Sequence, residues 1–236
     1  MTKATVRIIS LIMVLSLSAF CFAGCVEVDK SHVYGSSSST STTKTTTTKD
    51  NNTESSTESE TETTTETGDG QTPYAIIDIK NYGKITVKLY PKSAPITVEN
   101  FINLVNSKFY DGLTFHRIME GFMMQGGDPN GNGTGGSEKN IKGEFTANGV
   151  NNTLSHTRGA ISMARATPYD SGSSQFFIVH KDASASLDGQ YACFGYVTEG
   201  IEVVDKVCES AKPIDNNGTI PKAQQPVINS IRIEYR

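Results

Sequence analysis

The 236-residue chain is short of three things: cysteine, of which it has four, basic charge, and the compact motifs of common enzyme classes. Four scattered cysteines build neither a disulfide-framed scaffold nor a Cys-rich zinc site. Of the 21 Lys and Arg and the 25 Asp and Glu side chains, 5 and 9 fall within residues 1–72, leaving 16 of each beyond. A region without net positive charge has no excess with which to displace counterions from phosphates, so nucleic acid is excluded as a partner. Gly-x-Ser-x-Gly, His-Glu-x-x-His and Cys-x-x-Cys do not occur. Their absence removes the simplest signatures of serine hydrolases, zinc proteases and thiol oxidoreductases.

Partial motifs also fail on inspection. Gly131-Asn-Gly133-Thr-Gly-Gly136 satisfies Gly-x-Gly-x-x-Gly, but the Ser-Glu-Lys-Asn-Ile-Lys-Gly that follows is not an apolar-periodic helix, so no helix N-terminus waits for a phosphate. Asp128-Pro-Asn130-Gly-Asn132-Gly133 matches the first half of a calcium loop, yet the twelfth position is Lys139 instead of Glu. A glycine-rich surface loop is expected there. His116 and Asp128 are conceivable as a catalytic pair, but a histidine satisfied within a strand is the simpler expectation.

The N-terminus reads as an export signal. Lys3 and Arg7 precede an uncharged, largely apolar run at 8–24 that ends in Ala23 and Gly24. A basic start, apolar middle and small-residue end make a signal peptide, although 17 residues also reach the lower limit for an uncleaved anchor helix. Phe22-Ala23-Gly24-Cys25 resembles the lipobox of bacterial lipoproteins, with Phe22 in place of the usual Leu, and this implies a lipid-modified Cys25. The other reading makes Cys25 merely the first residue past an ordinary cleavage site. Residues 36–67 follow, with 22 of 32 positions Ser or Thr and no apolar residue to bury. Such a stretch stays disordered, and 25–72 as a whole is expected to be a tether spanning about 35 to 40 Å.

From Tyr74 the pattern changes to strands. Runs at 74–80 and 84–90 are rich in β-branched residues, with Ile85, Val87 and Leu89 on one face of the second and a hairpin loop at 81–83. Further strands are expected at 114–118, 122–126, 159–164, 175–179, 191–197 and 227–234. A helix is expected to start at Ser93, with Val98, Phe101, Ile102 and Val105 on one stripe, and a second at 201–208. Eight strands with two helices are too many strands for a doubly wound sheet, and a closed antiparallel barrel with helices at its ends removes the edges.

The sequence of motifs is distinctive as a whole. Phe-Tyr-Asp-Gly-Leu-Thr-Phe-His-Arg-Ile at 109–118 is followed by Gly-Phe-Met-Met-Gln-Gly-Gly-Asp at 121–128 and Asn-Gly-Thr-Gly-Gly at 132–136. Then come Gly-Ala-Ile-Ser-Met-Ala-Arg-Ala at 159–166, Ser-Gln-Phe-Phe-Ile at 174–178, Leu-Asp-Gly at 187–189 and Phe194-Gly195. In order and spacing this resembles a cyclophilin of the bacterial branch over essentially all of 74–236. The resemblance implies an eight-stranded closed barrel and peptidyl-prolyl cis-trans isomerase activity, with no cofactor and no metal.

The resemblance places Arg117 as the catalytic residue, with Phe122, Met123, Phe177 and Leu187 around the proline ring. Gln125 and Gln175 match polar positions beside the site. Ala164, Arg165 and Ala166 occupy the segment that pairs with substrate backbone, Gly133 lies beside a neighbouring pocket, and Tyr191 faces the substrate. Ser186 and Tyr191 stand where the best-known eukaryotic members have Trp and His, and Arg165 replaces their Asn. Phe176 and Phe177 must face opposite ways in a strand, so one serves the core while the other lines the site. Cys193 and Cys208 are open to pairing in an exported protein or to remaining buried thiols.

The expected organisation is thus a signal at 1–24, a tether at 25–72 and an isomerase domain at 73–236. The implied protein is a monomeric lipoprotein on the extracytoplasmic face of a membrane, anchored through Cys25 and acting on proline-containing polypeptides during the folding of exported proteins. The competing class is a barrel that binds proline segments or scaffolds envelope proteins without turnover. Mere binding would not require Arg117.

Overall fold

Isoleucine and valine at alternate positions build the first strands of the computed structural model, which describes residues 70–236. The signal segment, Cys25 and nearly all of the tether lie outside the described residues. β1 (Pro73–Ile79) buries Ala75, Ile77 and Ile79, and β2 (Gly83–Leu89) buries Ile85, Val87 and Leu89. Side chains alternate across a pleated strand, so this covers one face of the hairpin. Six more strands follow: β3 (Thr114–Met119), β4 (Met123–Asp128), β5 (Ala160–Met163), β6 (Phe176–Val179), β7 (Ala192–Glu199) and β8 (Ile228–Tyr235). All pair antiparallel in the order β3-β4-β6-β5-β7-β2-β1-β8. Each lies within a few residues of its expected position.

The expected closed barrel is not formed; the sheet is a half-barrel. Its edge strands, β3 and β8, meet only at their starts, through a bridge between Thr114 and Val227 and bonds such as Gly112 N–H to Ile228 O at 2.8 Å. Farther along, the segment around Gly218–Ile220 takes the edge of β3 instead: Ile118 N–H donates to Gly218 O and Ile220 N–H to His116 O. The edge of β8 is met by Asp111, which accepts from Ile231 N–H and pairs with Arg232. Loops thus satisfy the edges that a closing ladder would have satisfied.

α1 (Pro95–Asn106) and α3 (Ile201–Ser210) are the two expected helices, and a one-turn α2 (Ser184–Leu187) adds a third. α1 begins at Pro95, just past the expected Ser93, and neither Ser93 nor Ala94 caps it through a side chain. Buried Glu144, from a distant loop, accepts from Ile96 N–H, Thr97 N–H and the Thr97 hydroxyl. A carboxylate there satisfies orphan donors and complements the helix dipole.

The sheet is buried on both faces along β4 to β7. Met124, Phe176, Ile178, Ile161 and Phe194 point into the main core, where Phe176 meets Phe101, Tyr110 and Phe115 edge-on at ring distances of 5.5 to 6.0 Å. Their neighbours Met123, Phe177, Val179 and Cys193 point outward into a second cluster with Ala160 and Leu187. Cys193 and Cys208 are free buried thiols, each pushed by burial to about 12. They are protonated and inert at working pH.

Beneath the second cluster sits His156, wholly buried, its ring stacked on Phe177 at 6.0 Å. Its Nδ1 is 2.8 Å from Asp188 Oδ1 and its Nε2 is 2.9 Å from the hydroxyl of fully buried Ser162. An ionised carboxylate only accepts, so Nδ1–H donates to Asp188 and the serine hydroxyl donates to Nε2. Burial holds His156 below the ordinary histidine range against the opposing pull of Asp188, and burial likewise lowers His116. Between the folded and unfolded values the unfolded chain binds more protons, so stability is complete above about pH 6.5 and declines as pH falls below it. Denaturant unfolding of the 70–236 region from pH 8 to 5 should show that decline, with a shallower slope in His156→Gln. Stability that rises on acidification through this range would contradict the assignment.

Candidate active site

A bulge in β3 decides where Arg117 points. Phe115 pairs with Gly126 and Arg117 with the adjacent Gln125, so His116 is an extra residue against one step of β4. The bulge lets Phe115 and Ile118 both stay in the core while Arg117 turns to the outer face. Gly126 permits the close approach, because a Cβ there would lie 2.8 Å from Thr114 O and 2.9 Å from the Phe115 ring.

The Arg117 guanidinium is half-buried and held from several sides. Its Nε donates to Asn217 O at 2.7 Å, and Nη1 to Gln125 Oε1 at 3.3 Å. Nη1 also lies 3.8 Å from Met123 Sδ, and Nη2 3.3 Å from Met119 Sδ. Burial pushes its pKa below the ordinary value, opposed by Tyr191 and Asp215, yet an arginine stays charged at any working pH. Thioether sulfurs are weak acceptors, so the two terminal nitrogens keep donor capacity for a ligand.

A polar relay runs from Arg117 to the glycine-rich loop. Gln125 donates through Nε2 to Gln175 Oε1 at 2.9 Å, and Gln175 donates to Gly135 O at 2.7 Å and Gly133 O at 3.2 Å. Buried Asp128 organises that loop by accepting from the N–H groups of Asn130, Asn132 and Gly133. Burial raises the Asp128 carboxyl, but these donors outweigh it and hold it below the usual range. The loop is therefore turned by Asp128 through backbone donors, and His116 couples to that carboxylate through charge. His116 is buried, and among the described residues no side chain or backbone group bonds its Nδ1. Among the described residues no three His, Cys, Asp or Glu side chains converge as a metal site requires.

Beside Arg117 the outer cluster forms an apolar wall. Met123, Phe177 and Leu187 are nearly fully buried, with Phe122, Met119, Ala164 and Tyr191 packed partly buried around them. Tyr191 meets Phe177 edge-on at 5.8 Å. Phe122, Met123, Ala164, Phe177, Leu187 and Tyr191 are thus brought to this face, Gln125 and Gln175 border it, and Gly133 joins it through Gln175, while Ala166 is exposed outside the cluster. Ala164 and Ala166 direct their N–H groups to Gln175 O and Ser171 Oγ.

Arg165 is engaged by its own surroundings. Its guanidinium lies over the rings of Tyr191, Tyr169 and Phe145 at 4.7, 5.0 and 5.1 Å. It also donates to the carbonyls of Gln190, Ala166 and Thr167. The side chain therefore ties the 164–167 segment to the strand start at Tyr191 through cation–π and hydrogen-bond contacts. Ser186 is exposed, and its hydroxyl donates back to Ala183 O.

Sequence reasoning missed four contributors: Met119, Asn217, and the His156–Asp188 pair under Phe177. Asp-Asn-Asn-Gly at 215–218 is a turn signal, but nothing local ties it to an arginine a hundred residues earlier.

Comparison with known proteins gives the same reading. The family described as cyclophilin type peptidyl-prolyl cis-trans isomerase/CLD matches residues 74–233. The chain is 48% identical over 132 residues to peptidyl-prolyl cis-trans isomerase B of Bacillus subtilis, covering 56% of this chain and 87% of that protein. It is 46% identical over 139 residues to a peptidyl-prolyl cis-trans isomerase of Helicobacter pylori, covering 58% and 82%. A similar solved structure is the cyclophilin-type isomerase of Cryptosporidium parvum, determined in the presence of the dipeptide Ala-Pro, with a TM-score of 0.60 and 30% identity over 68% of this chain and 98% of that one. With the match running from β1 through β8, the chain belongs to the cyclophilin-type peptidyl-prolyl cis-trans isomerase family and is an isomerase of that class.

Proposed function

We propose that Arg117 promotes rotation about X-Pro bonds by hydrogen bonding to the twisted amide, with the proline ring held against Phe122, Met123, Phe177 and Leu187. The observation that carries this is a fixed, half-buried guanidinium directly beside an apolar wall. An X-Pro bond is held by amide resonance behind a barrier of about 18 to 20 kcal/mol, and crossing it breaks no covalent bond. Once resonance is lost the proline nitrogen gains a free lone pair, and the carbonyl swings to a new position. Either can accept from a terminal nitrogen of Arg117. The apolar wall lowers the local dielectric and strengthens that bond. Shortening isomerisation from about 100 s to about 1 ms requires close to 7 kcal/mol. A preorganised charged hydrogen bond supplies about 3 to 4 of these, and fixed orientation of the peptide supplies the rest.

Gln125 and Gln175 then orient Arg117 and the substrate, while the 164–166 segment offers backbone groups to the residues before proline. Gly133 borders a neighbouring subsite, and Tyr191 closes the pocket over Phe177. Proline-containing polypeptides are the substrates, a reading supported by the Ala-Pro dipeptide used with the Cryptosporidium parvum relative. The signal, Cys25 and the Ser/Thr-rich stretch support a lipid-anchored enzyme on the extracytoplasmic side of a membrane that assists the folding of exported proteins.

Arg117→Ala should lower turnover on a short X-Pro peptide by about 10² to 10³ with a much smaller loss of binding, because the contact is strongest in the transition state. Arg117→Lys should recover only part, since one ammonium lacks the planar fork that reaches substrate while staying fixed at Asn217. Phe177→Ala should weaken binding and rate together. A protease-coupled assay checks all three, and near-full turnover in folded Arg117→Ala would overturn the mechanism. For the anchor, the full chain expressed in a bacterial host should partition into the detergent phase and Cys25→Ser should not; equal partitioning of the two would remove the lipid.

A further inference from the structure

The Nε of Arg117 is held by a loop, and that loop has its own organiser. The Asn217 carbonyl that accepts from Arg117 Nε belongs to the turn at 215–219, exposed at 215–217 and buried at Gly218. Asp215 Oδ1 accepts from Asn217 N–H and Thr219 N–H, both at 3.0 Å, and Asp215 O accepts from Gly218 N–H. The turn is clamped to β3 on both sides of Arg117, by Ile118 N–H to Gly218 O and Ile220 N–H to His116 O. Gly218 has φ +85°, and a Cβ there would meet the Met119 side chain and lie 2.7 Å from Ile118 O. Only glycine fits so close to the strand in that conformation.

We propose that Asp215 is a positioning residue for isomerisation: its carboxylate sets the turn whose Asn217 carbonyl orients the Arg117 guanidinium. The role rests on the reading of Arg117 as catalytic. An arginine side chain has four rotatable bonds, and among the described residues its terminal nitrogens meet a glutamine and two thioethers. The Nε bond is the short one, so it fixes the plane of the fork. Without the Asp215 carboxylate the turn keeps its backbone bonds but loses those that fix Asn217 N–H and Thr219 N–H, so the Asn217 carbonyl is held less tightly. Misplacement of a reacting group by about 1 Å costs on the order of 10²-fold in rate. Because Asp215 is exposed, its charge is screened by water, and the hydrogen bonds carry its effect.

The test is a double-mutant cycle with kcat and KM measured separately. Asp215→Ala should lower kcat about 10-fold and change KM less than about 2-fold. Asp215→Asn retains the Oδ1 acceptor without the charge and should return kcat to within about 3-fold of the native enzyme. In an Arg117→Ala background, Asp215→Ala should add nothing. Unfolding temperatures should stay near native, because the loop lies outside both apolar clusters. The proposal is overturned if Asp215→Ala keeps native kcat, if its loss adds in full to that of Arg117→Ala, or if folded Asp215→Asn is as slow as Asp215→Ala. Near-full turnover in Arg117→Ala would instead overturn the catalytic reading beneath it.

Discussion

A guanidinium cannot shed its charge, so taking one out of water forces the protein to surround it with partners of fixed geometry. Arg117 is in that position, and much of the surrounding structure is arranged to satisfy it. The bulge at His116 turns it outward, β4 supplies Gln125 and Met123 beneath it, and the 215–219 turn supplies the Asn217 carbonyl. The same turn occupies the edge of β3 that a closed barrel would pair with β8. The open edge of the half-barrel and the orientation of Arg117 thus have one structural cause.

Strands β4 to β7 serve two interiors at once. Alternation sends Phe176 to the core and Phe177 to the cleft, and does the same for Met124 and Met123. The floor of the cleft is therefore as rigid as the core, since neither residue of a pair can move without the other. His156, buried and neutral, stacks beneath Phe177 and is fixed from both ring nitrogens. Rotation of an amide needs such a floor more than it needs a reactive group. The chemistry is conformational, and the two described cysteines are buried and protonated.

The strand order of events along the chain was legible because β-branched alternation is a local signal, and all eight strands fall where it placed them. The choice of Phe177 over Phe176 rested on the motif resemblance, since alternation alone says only that the two face apart. Closure was misread because it depends on a long connection folding back between β3 and β8, which no periodicity encodes. The helix expected from Ser93 forms from Pro95, but its cap was not legible for a related reason: it is Glu144, supplied from 47 residues away. Arg165 shows the same limit. Its position in the segment was clear, but its place over three aromatic rings from separate loops depends on tertiary structure.

The central claim is that this site stabilises a twisted amide without moving a proton. The most direct measurement is turnover on an X-Pro peptide as a function of pH, repeated in deuterated water. The account predicts a flat profile between pH 7 and 9, because the arginine stays charged throughout, and a solvent isotope effect near unity. A bell-shaped profile in that range, or an isotope effect above about 2, would show proton transfer in the rate-limiting step and contradict it.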